Sequence, residues 1–129
     1  MKKVNNLLKD GYYLTDGGME TTLIFHEGIE LRHFAAFELL NDAEGIEIPI
    51  KYYQTYLDLA SRFNSNFIFE APTWRANPDW GFKLGYSPME ISEINKTAIR
   101  LLRSLPLQPQ YQKIETLVSG AIGPRGDGM

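Results

Sequence analysis

Cysteine is absent from the 129 residues of this chain. Its absence excludes disulfide bonds, thiolate metal ligands and a cysteine nucleophile from the residues in hand. The sequence also lacks a long block of charges of one sign, since 13 lysines and arginines stand against 16 aspartates and glutamates, for a net charge of −3. Such a chain offers no electrostatic surface for a phosphate backbone, so we expect no nucleic-acid partner.

A long apolar run is missing as well. The first ten residues, MKKVNNLLKD, contain one apolar pair, which is far too short for the core of a signal peptide or for a membrane span. The sequence therefore predicts a cytoplasmic protein without a membrane partner. With 43% hydrophobic and 22% charged residues, the composition is that of an ordinary globular domain or part of one.

Hydrophobic patterning predicts strands and helices in alternation. Short β-prone or apolar runs predict strands at residues 12–15, 67–69 and 117–122, the second of them apolar enough to be covered on both faces. Helical turns are predicted near residues 19–26 and 34–40, and amphipathic helices from Pro49 and from Ser87, where a capping box begins a helix that Pro106 ends. Residues 71–87 are predicted to form a long loop rich in Pro, Gly and aromatic residues.

This order of elements predicts an α/β fold in which the three strands pair in parallel. The loops that follow parallel strands meet at one edge of the sheet, where the chemistry of such folds is concentrated. Here those loops carry Asp16-Gly17-Gly18, then Glu70 and the residues after it, then the segment from Gly120 to Pro124. We therefore expect Asp16, Thr73 and Gly123 to lie at one rim of the molecule.

The two carboxylates at this rim each allow two interpretations. Asp16 precedes two glycines, so it could contact a ligand or accept hydrogen bonds from its own turn. Glu70 follows a buried strand, so its charge needs compensation, which either a ligand or a paired arginine, Arg75 or Arg32, could provide. His26 and His33 are weak candidates for metal ligands because Gly28 interrupts the helix between them. The aromatic residues Trp74, Trp80 and Tyr86 would pack beneath their loop or cover a ligand.

Three segments, in the same order along the chain, resemble motifs of the homocysteine S-methyltransferase family: Asp16-Gly17-Gly18-Met19-Glu20-Thr21-Thr22-Leu23, Pro72-Thr73-Trp74-Arg75-Ala76 and Ser119-Gly120-Ala121-Ile122-Gly123-Pro124. The resemblance implies that residues 1–129 are the N-terminal part of a homocysteine-binding (β/α)8 TIM barrel and hold its first three βα units. The remaining strands of that barrel would lie outside this chain, whose glycine-rich end we interpret as a truncation.

The resemblance further implies transfer of a methyl group from a sulfonium or ammonium donor to a zinc-bound homocysteine thiolate, which yields methionine. In that case Asp16 and the backbone around Gly17 would hold the amino acid end of homocysteine, and Glu70 and Thr73 would line the same pocket. The zinc ligands of the family are cysteines on later strands, and this chain has no cysteine. The chain alone is therefore expected to be inactive.

Two departures from the family pattern bear on the substrate. Glu20 stands where many members have Gly, and Thr22 stands where many have Glu, so the acceptor or the donor could differ. Two other classes of function also stay open at this point. One is a small α/β binding module without catalysis, and the other is a barrel hydrolase that uses Asp16 and Glu70 as a carboxylate pair.

Overall fold

The computed structural model describes residues 11–127 and contains a three-stranded parallel sheet in the order β1-β2-β3. The strands are β1 at Tyr13–Thr15, β2 at Asn66–Glu70 and β3 at Thr116–Ser119. Leu14 lies opposite Phe67, and Ile68 lies opposite Leu117. The predicted mixed α/β class and the parallel pairing are confirmed, although β3 ends at Ser119 and not at the predicted residue 122.

Helices occupy both connections between the strands. The α-helices are α1 at Met19–Thr21, α2 at Glu47–Arg62, α3 at Pro78–Leu84 and α4 at Pro88–Ser104. The chain continues from α1 into a π-helical turn at Thr22–His26, and short 3-10 segments lie at Arg32–Phe34, Ala36–Asn41, Leu105–Leu107 and Pro109–Tyr111. Within residues 11–127, no helix combines the length and hydrophobicity that crossing a bilayer would require. The first ten residues, on which the cytoplasmic prediction rests, lie outside the described residues.

The predicted start of α4 is confirmed in detail. Ser87 Oγ accepts a hydrogen bond from the Glu90 amide at 3.1 Å, and Glu90 Oε2 accepts one from the Ser87 amide at 2.7 Å. Each bond satisfies an amide that the first helical turn leaves without a partner. The apolar stripe that follows is buried at Ile91, Ile94, Ala98 and Leu102.

The core lies between one face of the sheet and the helices α2 and α4. Phe67 and Phe69 of β2 are fully buried there, together with Tyr53 and Leu57 of α2. The prediction that β2 would be covered on both faces is wrong, because Ile68, on the opposite face, is only half-buried. Among the described residues, the helices cover one face and leave the other open.

The interpretation of residues 71–87 as a single loop is also wrong, since α3 lies within it. Asn77 Oδ1 accepts a hydrogen bond from the Trp80 amide at 3.1 Å, and Pro78 occupies the first turn. Gly85 ends α3 at φ +91°, a left-handed conformation that is unstrained only without a Cβ. Helical turns do lie within the predicted segment 34–40, as the 3-10 segment Ala36–Asn41, which begins after two residues with positive φ, His33 and Phe34.

Candidate functional site

A cavity of about 520 Å³ lies beside the carboxyl ends of β1 and β2. Asp16, Gly17 and Glu70, three of the residues predicted to bind substrate, line it. Glu20 of α1 and Arg75, which follows β2, also line the cavity. Asp127 lines it as well, so four carboxylates and one guanidinium border a single space.

Asp16 is held in place from α2. The Tyr52 hydroxyl donates a hydrogen bond to Asp16 Oδ2 at 3.0 Å, whereas Asp16 Oδ1 is buried and has no hydrogen-bond partner among the described residues. Burial raises the pKa of the Asp16 carboxyl, and the nearby charge of Glu70 raises it further. Burial and the charge of Asp16 also raise the pKa of Tyr52, so its hydroxyl stays protonated and remains a donor.

Neighbouring tyrosines of α2 support the same rim. The Gly17 amide donates to the Tyr56 hydroxyl at 3.4 Å, and the Tyr53 hydroxyl donates to the Glu70 carbonyl at 2.5 Å. The ring of Tyr52 packs against the rings of Tyr53 and Tyr56, with centroids 5.4 and 5.2 Å apart. One helix thus fixes the ends of both β1 and β2. The periodicity of the sequence identified Tyr53 as a core residue, but it gave no sign that Tyr52 contacts Asp16.

Glu20 is the candidate residue whose position the sequence did not predict. It is partly buried in α1, and burial raises the pKa of its carboxyl, as do the charges of Glu70 and Asp16, while Arg75 lowers it. The sequence marked Glu20 only as a departure from a family pattern. In the structure it adds a third carboxylate beside Asp16 and Glu70, so this wall of the cavity favours a positively charged group.

Arg75, which also lines the cavity, is only 4% exposed. Its guanidinium lies between the rings of Trp74 and Trp80, 4.0 and 3.9 Å from their centroids. Arg75 Nε donates to the His33 carbonyl at 3.2 Å. Stacking between two indoles fixes the plane of the guanidinium, so its orientation does not depend on a ligand.

Of the two interpretations of Glu70, the pair with an arginine is not found among the described residues. Arg32 forms an ion pair with Glu38, and Arg75 forms one with Asp127. The side chain of Glu70 is exposed, so water stabilises its charge and the expected cost of burial does not arise. Glu70 is therefore free of an arginine partner within the described residues and remains available at the cavity.

Thr73 joins two of the rim loops. Its Oγ1 donates to the Ala121 carbonyl at 2.9 Å and accepts from the Ala121 amide at 3.2 Å, and it is not among the residues that line the cavity. Gly123 lies so close to Trp74 that a Cβ would overlap the Trp74 carbonyl oxygen. The loops after β2 and β3 therefore meet as predicted, whereas Asp16 lines the cavity with Glu70.

The remaining candidates divide between the cavity and its surroundings. Trp74 and Trp80 line the cavity while they stack on Arg75, but Tyr86 donates to Glu38 Oε1 at 3.1 Å, outside it. Residues 11–127 contain no group of three or more His, Asp or Glu side chains placed to hold a metal ion, and His26 and His33 are no exception. Because the chain also has no cysteine, its donor set does not fit a thiolate zinc site.

The cavity thus combines an acidic wall, a stacked arginine and aromatic rings at the edge where three parallel strands end. Such a lining is chemically complementary to a small molecule that carries opposite charges at its two ends. The case for such a ligand rests on the residues of the chain itself. No protein-family model, curated protein or solved structure matches this chain.

Proposed function

We propose that this chain is the homocysteine-binding part of a homocysteine S-methyltransferase-like enzyme. In this proposal β1, β2 and β3 are the first three strands of a (β/α)8 barrel that polypeptide beyond these residues completes. The complete enzyme would transfer a methyl group from a sulfonium or ammonium donor to the sulfur of homocysteine. The chain contributes the site for the amino acid end of that substrate.

The observation that carries the proposal is the acidic wall of the cavity. Asp16 and Glu20 are partly buried, and their carboxyl pKa values are raised by burial and by mutual repulsion with Glu70. An ammonium group placed among these carboxylates would relieve that repulsion. The α-ammonium group of an amino acid has the charge, the size and the three N–H donors that this position requires.

The zinc ion implied by the family resemblance is not assigned to residues of this chain. The donor set described above does not fit it, so the residues that hold zinc would lie outside these 129 residues. Activation of the thiol is likewise not assigned here. What the chain supplies is recognition: Tyr52 orients Asp16, and the tyrosines of α2 keep Gly17 and Glu70 at the same rim.

Calorimetric titration of the purified chain with L-homocysteine, in the presence of a reductant, tests this function. We expect Asp16→Asn to weaken binding by about 10-fold or more, because the substitution removes a charge-assisted hydrogen bond to the ammonium group. Asparagine retains an acceptor for Tyr52, so the rim should keep its geometry.

The matched control is Glu93→Gln, which removes one negative charge from an exposed position on α4, where Glu93 pairs with Lys96. This variant should bind homocysteine as the wild type does. Equal affinity of the wild type and Asp16→Asn would contradict the proposal and would favour the alternatives that do not involve an amino acid at Asp16.

A further inference from the structure

Arg75 has one nitrogen whose hydrogen bonding is incomplete. A guanidinium offers five N–H donors, of which Nε carries one and each Nη carries two. Nε donates to the His33 carbonyl, and Nη1 donates to the carbonyls of Gly126 and Asp127 at 3.4 and 3.2 Å. Among the described residues, Nη2 contacts only Asp127 Oδ1, at 3.5 Å. Charge-assisted bonds to carboxylates are normally about 2.7–2.9 Å long, so this contact is weak.

The Asp127 carboxylate is also held weakly from its own side. Its side chain is 65% exposed, whereas Arg75 is 4% exposed. An ion pair with one partner in water contributes little, typically about 0.2–1 kcal/mol. The backbone around Asp127 is better anchored: the Trp80 indole donates to the Gly126 carbonyl at 3.1 Å, and Arg125 forms two hydrogen bonds with Asp79. The carboxylate of Asp127 can therefore rotate away while its loop stays in place.

Both Arg75 and Asp127 line the cavity that Asp16, Glu20 and Glu70 border. The charge of Arg75 acts on the Glu20 carboxyl, so the cationic and the acidic walls are close enough to interact across the space. A small zwitterion in this cavity therefore meets carboxylates and the Arg75 guanidinium in the same space. An α-carboxylate in this space can accept the two N–H donors of Nη2 that Asp127 engages poorly.

We infer that Arg75 Nη2 is the carboxylate-binding group of this cavity and that the Asp127 carboxylate is a built-in competitor, which the α-carboxylate of an amino acid displaces. The inference rests on the proposed function for the identity of the zwitterion. Beyond that function, it assigns Arg75 as the residue that recognises the carboxylate and Asp127 as the side chain that lowers the affinity for it.

The test uses Asp127→Asn with three thiol probes that differ in charge. L-Homocysteine carries both charged groups, 4-mercaptobutanoate carries only the carboxylate, and 3-aminopropane-1-thiol carries only the ammonium group. Binding is followed by calorimetry and by the fluorescence of Trp74 and Trp80, the only tryptophans in the chain, which both stack on Arg75.

We expect Asp127→Asn to tighten binding of the two carboxylate probes by about two- to fivefold, which is the value of one exposed ion pair, and to leave the amine unchanged. The matched control is Glu93→Gln, which makes the same change in net charge at an exposed ion pair on α4, away from the cavity lining and from the loop that carries Asp127. It should affect none of the three probes. Arg75→Lys retains the charge without the planar guanidinium. It should weaken the binding of both carboxylate probes and leave the binding of the amine unchanged.

The outcomes separate this inference from the proposed function. If Asp127→Asn leaves binding of the carboxylate probes unchanged or weakens it, or if Glu93→Gln tightens that binding equally, the inference is wrong, whether or not homocysteine binds. If Asp127→Asn tightens the binding of 4-mercaptobutanoate but homocysteine binds no better than that probe, Arg75 retains its role. The assignment of the ammonium site to Asp16 is then wrong. If no probe binds to either protein, both are wrong.

Discussion

Asp16 shows, at the scale of a single residue, how the requirements of the site oppose those of the fold. Its carboxyl is partly buried and has a raised pKa, so the folded chain accommodates the charge less easily than the unfolded chain does. By linkage, a carboxyl whose pKa is higher in the folded state reduces stability as the pH rises above its unfolded value. The same arrangement favours an ammonium ligand, which supplies the missing positive charge.

We therefore expect Asp16→Asn to unfold with a free energy at pH 7 equal to or above that of the wild type. The difference should shrink as the pH falls towards 3, below both the folded and the unfolded pKa of Asp16, because the wild-type carboxyl is then protonated as well. Urea unfolding at several pH values measures this trend. A variant that is less stable than the wild type at pH 7 and matches it at pH 3 would contradict the prediction.

Glu93→Gln serves as a control of opposite sign. The hydrogen bond and charge of Lys96 lower the pKa of the Glu93 carboxyl, so its contribution to stability is present above the unfolded pKa and is lost as the pH falls. Glu93→Gln should therefore be less stable than the wild type at pH 7, and its free energy of unfolding should approach the wild-type value near pH 3. The two variants thus change in opposite directions over the same pH interval, although each removes one negative charge.

At the scale of elements, the capping box of α4 gives a prediction of its own. Ser87→Ala removes the acceptor of the Glu90 amide, and we expect it to lower the free energy of unfolding by about 1 kcal/mol. The control is Ser104→Ala, because Ser104 Oγ donates to the Leu101 carbonyl at the other end of α4 and caps no free amide. Urea unfolding of the two variants should show the larger loss for Ser87→Ala, and equal losses would contradict this account.

The sequence predicted elements where the signal is local. Ser87, Pro88 and Glu90 lie within one helical turn, so the start of α4 was predictable, and the apolar run 67–69 was sufficient for β2. Asn77 and Gly85 flank α3 with similar signals, but the many Pro, Gly and aromatic residues around them favoured a loop. Local patterns also contain no information about which face of β2 the helices leave open.

The candidate site was predictable only in part, for a related reason. Asp16, Gly17 and Glu70 follow strands, so topology alone placed them at one rim. The partners of those residues come from distant parts of the sequence: Tyr52 lies 36 positions from Asp16, and Asp127 lies 52 positions from Arg75. Such contacts depend on packing and leave no periodic signal, which is why the sequence left the two interpretations of Glu70 open.

At the scale of the whole molecule, the described part of the sheet is incomplete on three sides. Within residues 11–127, β1 and β3 each pair with β2 only, so each stands at an edge of the described sheet. On the face away from α2 and α4, Ile68 and Leu117 lie side by side and are only half-buried. Parallel sheets are normally covered on both faces, and open edges with an apolar face promote association.

We therefore expect the purified chain to associate increasingly as its concentration rises. Leu117→Lys places a charge on the open face beside Ile68, so it should shift the distribution towards monomer. The matched control is Leu107→Lys, at a leucine that is 74% exposed in a 3-10 segment after α4. Sedimentation equilibrium over a wide concentration range measures the difference. A wild-type chain that stays monomeric throughout, or equal effects of the two lysines, would show that the open face of the sheet does not drive association.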